Sequence, residues 1–157
     1  TGTHDTTRLC MQLLEKYAAP GVKLLDVGTG SGILAVAALL LGADSAVGVD
    51  IDEVAVRVAK ENAAANGVGD RAAFLAGDLA DRVDGRFAVV TANIVADVIL
   101  RLIPDLGRFL EPGGVFIASG IIDTREADVV SALEGAGYRL ADRRESGGWV
   151  ALAAVRG

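Results

Sequence analysis

The residues best suited to chemistry begin with Asp26-Val27-Gly28-Thr29-Gly30-Ser31-Gly32, in which glycine recurs at every second position. Glycine in such a turn supplies a backbone with positive φ or lets a ligand lie against bare main chain. The apolar run 46–49 then ends in Asp50, at the distance of about twenty residues where an acid accepts hydrogen bonds from ribose hydroxyls. The spacing G-x-G-x-G is one residue tighter than the G-x-G-x-x-G of dinucleotide-binding turns. Taken alone, the turn reads equally well as a simple chain reversal, but turn and acid together point to an adenosine-type ligand. Further candidates are Asp78 and Asn93, each placed after an apolar run, and the single histidine, His4. Paired carboxylates, a metal-ligand cluster and a nucleophile with its base do not stand out in the sequence.

These residues need elements to carry them. The run 24–27 reads as a strand, and 33–41 reads as a helix whose unpaired N–H groups face the turn. A helix over 6–18 precedes the strand, with Leu9, Leu13 and Leu14 on one face and Pro20-Gly21 stopping it. After a strand over 46–49, Asp52 and Glu53 open a helix with Val54 and Val58 toward the core, ending at Asn66-Gly67. Strands follow over 72–76 and 87–90. The apolar positions from Val95 to Leu110 keep helical spacing, and Pro104 must kink or divide that helix. A turn over 111–114 leads to a strand over 115–119. The helix over 124–136 takes its cap from Asp123 or Thr124, and a hairpin pairs 138–144 with 149–155. Alternating β and α closed by a hairpin predicts a single α/β domain over 1–157: a mostly parallel seven-stranded sheet with an antiparallel last strand and helices on both faces. Ligands of such sheets sit at the carboxyl ends of the strands, where Gly28, Asp50, Asp78 and Asn93 all fall.

Composition narrows the setting. Hydrophobic residues make up 52% of the 157 residues and aromatic residues 4%, as in strands buried on both faces of a parallel sheet. The longest apolar run is far short of a bilayer span of roughly twenty residues, and nothing at the start resembles a signal peptide. The single cysteine, Cys10, forms no internal disulfide and suits a reducing cytoplasm. Net charge is -6 with the acids scattered, which argues against a general nucleic-acid binder and suits a basic protein partner, although it equally serves solubility.

At Asp26–Gly32 and Gly48-Val49-Asp50-Ile51-Asp52 the chain resembles the class I S-adenosylmethionine-dependent methyltransferases. The stretches Thr1-Gly2-Thr3-His4-Asp5-Thr6-Thr7-Arg8-Leu9, Thr91-Ala92-Asn93-Ile94-Val95-Ala96, Pro112-Gly113-Gly114, Ser119-Gly120-Ile121-Ile122 and Gly148-Trp149-Val150-Ala151-Leu152 look like the PrmA family, lysine methyltransferases of a ribosomal protein. The resemblance implies a Rossmann-like methyltransferase fold with S-adenosylmethionine as cofactor. It also implies a mobile loop at the opening residues beside the cofactor. In that family a smaller substrate-recognising domain precedes this stretch; it has no counterpart here, so a catalytic domain alone is expected.

On this reading Gly28, Gly30 and Gly32 admit the methionyl part of the cofactor, Asp50 holds both ribose hydroxyls and Ile51 covers one adenine face. Asp78 lies near the adenine amine, or is simply an exposed loop acid. Thr3, Asp26, Thr29 and Asn93 complete the implied cofactor set, and no metal is expected. A lysine amine with a pKa of about 10.4 is protonated near neutrality and cannot attack a methyl group. The site must therefore hold the neutral amine by acceptors, for which the Asn93 side-chain oxygen and a backbone carbonyl at Asn93 or Ile94 are the candidates. Methyltransferases acting on planar amides or bases typically continue Asn-Pro-Pro-aromatic; here Ile94-Val95 follows, which favours a flexible alkyl amine. The competing reading is that Asn93 merely caps the next helix. Trp149 reads as hairpin packing, and His4 as a solvated residue or a member of the opening loop beside the site. Other classes remain open: a nicotinamide oxidoreductase, a methyltransferase for another protein or a small molecule, and a non-catalytic cofactor-binding domain.

Overall fold

The computed structural model describes residues 2–78 and 83–157, with side chains from residue 4 onward. The chain runs α1 (Gly2–Tyr17), β1 (Lys23–Val27), α2 (Ile33–Leu40), β2 (Ser45–Asp50), α3 (Glu53–Ala65), β3 (Ala72–Ala76), β4 (Phe87–Asn93), α4 (Ala96–Leu102), β5 (Leu110–Ile122), α5 (Glu126–Gly135), β6 (Tyr138–Ser146) and β7 (Trp149–Arg156). The sheet has seven strands in the order β3-β2-β1-β4-β5-β7-β6. β1 pairs in parallel with both β2 and β4, whereas β7 runs antiparallel to both β5 and β6. This is the expected α/β architecture. The chain winds outward through β2 and β3 and returns to place β4 beside β1, so a crevice opens at the carboxyl ends of β1 and β4.

Both faces of the sheet are covered. Phe116 and Ile117, neighbours on β5, point to opposite faces and are both fully buried: Phe116 packs with Ile99, Leu106, Val129 and Leu133 beneath α4 and α5, and Ile117 packs with Leu9, Leu13 and Leu39 beneath α1 and α2. Two-sided burial is what makes the strands continuous apolar runs rather than alternating ones.

Several boundaries differ from the sequence reading. The opening residues are helical from Gly2 rather than a loop. Ser119 Oγ donates to Thr6 O (2.8 Å), and Arg8 reaches Ser146 Oγ (2.8 Å) and Asp5, so α1 is fastened across the ends of β5 and β6. On α3 the inward face is Val56, Ala59 and Ala63, not Val54 and Val58; Val54 is 53% exposed. The reason is close packing on the glycine turn: a Cβ at Gly32 would lie 3.0 Å from Ala59 Cβ and 3.3 Å from Phe74 Cε1. Only small residues permit that approach. Gly32 is also the N-cap of α2 at φ 80°. Gly32→Ala should therefore cost about 1–2 kcal/mol from the left-handed backbone alone, read as a lower midpoint in urea; an unchanged midpoint would refute this account.

Pro104 divides the predicted long helix, with α4 ending at Leu102 and a 3-10 segment, Ile103–Arg108, following. The predicted turn at 111–114 lies inside the long strand β5, where a register shift against β4 and Gly113 at φ 75° absorb the bend. Neither Asp123 nor Thr124 caps α5. A 3-10 turn over Asp123–Arg125 comes first, and the helix begins at Glu126 without a side-chain cap.

Candidate functional site

A cavity of about 250 Å³ opens at the carboxyl ends of the parallel strands. Val27 and Gly28 come from the end of β1, Asp50 and Ile51 from β2, and Gly77 and Asp78 follow β3. Ile94 closes it from the end of β4, and Val98 and Arg101 reach in from α4. The structure thus brings together Gly28, Asp50, Ile51, Asp78 and Ile94 of the residues proposed from sequence. Ile51, 74% exposed, offers an apolar face at the mouth. Val98 and Arg101 were missed: their helical spacing marks them as part of an amphipathic helix, and only packing turns that helix edge toward the strand ends.

Asp50 ties the crevice together. Its Oδ2 accepts from Gly30 N (2.9 Å) and its Oδ1 from Asp52 N (3.0 Å). A carboxylate has about four lone-pair positions, so each oxygen keeps one to offer to a ligand hydroxyl. The turn itself is held from β2, because the amides of Gly28 and Thr29 both donate to Val49 O (2.8 and 2.9 Å) and Gly32 N donates to Thr29 O. These four amides are therefore engaged within the protein. Gly28 lets Ile94 close over the turn: φ is 73°, and a Cβ there would stand 2.6 Å from Ile94 Cγ2. Two carboxylates, Asp50 and Asp78, outnumber the guanidinium of Arg101, and with the apolar walls they suit a neutral or cationic ligand rich in hydroxyl and amine donors.

Asp26 and Thr29 lie under this surface. Asp26 is 1% exposed; its two oxygens accept from Thr29 Oγ1 and Thr91 Oγ1, both at 2.8 Å. Burial pushes its carboxyl up to about 6, the two hydroxyl bonds opposing and the charge of Asp50 adding to the shift. Both are therefore supports of the turn from below and do not line the cavity, and Thr91 is their unforeseen third member. Cys10 is buried on the other face, its thiol raised by burial and by the Asp26 charge, which makes it inert. Gly30 borders open space, whereas Gly32 faces α3 as described above. The side chain of Thr3 lies outside the described residues, and His4 is exposed on α1, away from the cavity lining.

Asn93 ends β4 one residue before Ile94 and is not itself in the cavity lining. Its Nδ2 donates to Thr7 Oγ1 (3.3 Å) across from α1, which leaves Oδ1 as an acceptor. It does not cap α4, whose N-cap is Val95 with no side-chain bond. Thr7 is a residue that the sequence offers no means of finding, since only the docking of α1 on β4 and β5 brings it to Asn93.

The fold agrees with that of similar proteins. The family model described as Ribosomal protein L11 methyltransferase (PrmA) matches residues 1–157. The ribosomal protein L11 methyltransferase of Pelotomaculum thermopropionicum is 54% identical over 154 residues, covering 98% of this chain and 50% of the relative. That of Desulfitobacterium hafniense is 49% identical, with 98% and 49% covered. The chain spans about half the length of these curated relatives. The crystal structure of the ribosomal protein L11 methylase from Lactobacillus delbrueckii subsp. bulgaricus superimposes with a TM-score of 0.94 at 38% identity, covering 98% of this chain and 79% of that one. An RNA methyltransferase from Salinibacter ruber, solved with S-adenosyl-L-homocysteine, shares the fold with a TM-score of 0.76 at 24% identity, over 93% of this chain and 88% of that one. With a family model that matches from end to end and relatives near half identity, the chain belongs to the ribosomal protein L11 methyltransferase (PrmA) family.

Proposed function

We propose that this chain binds S-adenosylmethionine in the cavity at the strand ends and transfers its methyl group to an amine of a ribosomal protein, a lysine side chain or the N-terminal amine. The single observation that carries the reading is the state of Asn93, whose amide nitrogen is engaged by Thr7 and whose Oδ1 accepts from no described residue, one position before Ile94 of the cavity lining. A cofactor-binding domain without chemistry has no need of an acceptor held in this way.

In the cavity Asp50 receives the ribose hydroxyls, Ile51 covers an adenine face, Asp78 takes the adenine amine, and Gly28 and Gly30 give the methionyl part room. When bound, S-adenosylmethionine supplies a methyl on a sulfonium sulfur; the acceptor's nitrogen lone pair takes the methyl, the S–C bonding pair stays on sulfur, and the displaced proton leaves to water. The chain's own part is alignment. Asn93 Oδ1 and a main-chain carbonyl at Ile94 accept from the two N–H groups of the neutral amine and so aim its lone pair. No dedicated base is required if deprotonation precedes binding. The acidic surface suits a basic ribosomal protein, and no described helix is long and apolar enough to cross a membrane. A ribosomal substrate sets the activity in the cytoplasm, with no direct role for nucleic acid.

The test is isothermal titration with S-adenosylmethionine and, in parallel, a reduced nicotinamide dinucleotide, followed by transfer of labelled methyl to ribosomal protein L11. Saturable binding of the methyl donor alone is expected. Binding of the nicotinamide alone would overturn the reading. Asn93→Ala should retain cofactor binding and lose about tenfold in methyl transfer, the equivalent of one hydrogen bond of about 1.4 kcal/mol. Transfer at the wild-type rate would take the acceptor role from Asn93.

A further inference from the structure

Two guanidinium groups meet at the amino ends of β4 and β5, the end of the sheet opposite the cofactor cavity. Arg86 immediately precedes β4 and Arg156 ends β7, and Nη1 of each donates to the same two main-chain carbonyls, Gly107 O and Leu110 O, where the chain enters β5. Arg86 lies 3.2 Å from the first oxygen and 3.4 Å from the second, and Arg156 lies 3.0 Å from the first. Among the described residues, Nε and Nη2 of both make no hydrogen bond and no carboxylate pairs with either group. Other arginines at the surface are claimed by acids, Arg125 by Asp97 and Asp128 and Arg143 by Glu126 and Glu145. A third donor borders the same space. Tyr138 begins β6 opposite Arg156, and its hydroxyl bonds to no described residue and is open to solvent. Burial holds its phenol above the ordinary value, against the charge of Arg156, so the O–H stays a donor. Gly107 leaves the room between them: a Cβ built there would stand 3.5 Å from Arg156 Nη2 and 4.0 Å from Tyr138 Oη.

We propose that Arg86, Arg156 and Tyr138, arranged around Gly107, form a second ligand site, which takes a free tetrahedral oxyanion of the phosphate class. Arg156 alone already serves both carbonyls, so holding the entry to β5 does not require Arg86. Two positive charges that share one pair of acceptors repel each other, and an anion between them removes that cost. The donor set chooses the class of anion. A carboxylate is matched by a single guanidinium fork, whereas donors that arrive from β4, β6 and β7 call for an acceptor with several oxygens in different directions, which phosphate supplies. A free phosphate, or the phosphate group of a small ester, suits the place better than the backbone of a nucleic acid, because the net charge of -6 opposes a long polyanion. The bound anion ties the starts of β4 and β6 to the end of β7 and stabilises the folded chain by mass action. The site is independent of the proposed methyl transfer and of its cofactor.

The probe is inorganic phosphate, titrated calorimetrically at an ionic strength held constant with chloride, since screening by salt would otherwise mimic the effect. Saturable binding with a Kd of about 1 mM or lower is expected, together with a urea midpoint that rises as phosphate is added. Arg86→Gln, at an exposed position, should weaken phosphate binding at least about tenfold, and Tyr138→Phe about fivefold. Gly107→Ala puts a methyl into the space itself and should also cost about fivefold or more. It is not a left-handed glycine, and its Cβ meets nothing closer than 3.5 Å, so the variant folds. In all three the affinity for S-adenosylmethionine should stay within about twofold of the wild type. A single-stranded oligonucleotide without terminal phosphates is titrated in parallel and should not displace inorganic phosphate. Saturation only above about 10 mM would mean an adventitious ion only and overturns the proposal. Phosphate affinities within about twofold of the wild type in both Arg86→Gln and Gly107→Ala overturn it as well. Displacement of phosphate by the oligonucleotide would make nucleic acid the occupant and overturn the assignment to a free anion.

Discussion

Asp50→Ala should lower the affinity for S-adenosylmethionine by about ten- to a hundredfold, with the sheet intact. The magnitude follows from removing a charged acceptor, whose hydrogen bonds are worth about 1.5 to 3 kcal/mol each. The geometry adds a second reason, because the same carboxylate accepts from Gly30 N and Asp52 N and so holds the glycine turn against the end of β2. A loss of ligand contacts and a loss of turn position both act on binding and little on the core, since Asp50 sits at the crevice rather than in either apolar cluster. Asp78→Ala, at an exposed position with no hydrogen bond to a described residue, should cost only a few fold by comparison. Isothermal titration of both variants, with circular dichroism as a check on folding, measures the difference. Unchanged affinity in Asp50→Ala removes this residue from the site.

The second large effect is one of stability. The Asp26 carboxyl is pushed up from 3.8 to about 6 in the folded chain, chiefly by burial. A raised acid pKa means that the folded state binds the proton more tightly than the unfolded state does, so this group's contribution to stability falls as pH rises from about 4 to about 6 and stays low above it. A difference of about two pKa units corresponds to about 3 kcal/mol at 1.36 kcal/mol per unit. Asp26→Asn keeps the shape and cannot ionise, so the stability of the variant relative to the wild type should rise by about that amount between pH 4 and pH 7. Urea unfolding of the pair at the two pH values isolates the effect. Other carboxyls, acting in both proteins, drop out of the comparison: Glu126, held below its ordinary range by Arg143, and Asp142, held down by Lys16, have the opposite sign and lose their contribution as pH falls. A pH-independent difference between variant and wild type would refute the assignment. The partners that set the size of the shift are Thr29 and Thr91, with Asp50 nearby.

Asp26 also shows where reading the chain residue by residue stops. Its place before the first glycine was plain, and its inclusion in the cofactor set followed from the motif. That its carboxylate turns inward depends on Thr91, 65 residues away, lying beside it on the neighbouring strand. Asn93 is a similar case. The residue was recognisable after the strand, and the lack of proline and aromatic residues behind it spoke for an alkyl amine. That its nitrogen is engaged and its oxygen left as the acceptor depends on Thr7, 86 residues away on α1. Val54 and Val58 were misplaced on α3 because apolar side chains usually mark the inward face, whereas here the closeness of α3 to the Gly32 turn selects Ala59 and Ala63.

Local chemistry settled the order of elements, the positions of the turns and the identity of the crevice. Apolar runs of strand length, helical periodicity, and the residues Gly28, Asp50 and Pro104 act within a few positions of themselves, so their consequences can be read along the chain. Tertiary structure decided which atoms face the crevice. Parallel pairing sets β1 between β2 and β4 and α1 across the far strands, joining Asp26 to Thr91, Asn93 to Thr7, and Gly120 to the carbonyl of Ile94. Contacts of that range leave no periodicity and no motif, because the chain between the partners is free to take any course that the sheet allows; they exist only once the packing of both faces has chosen one.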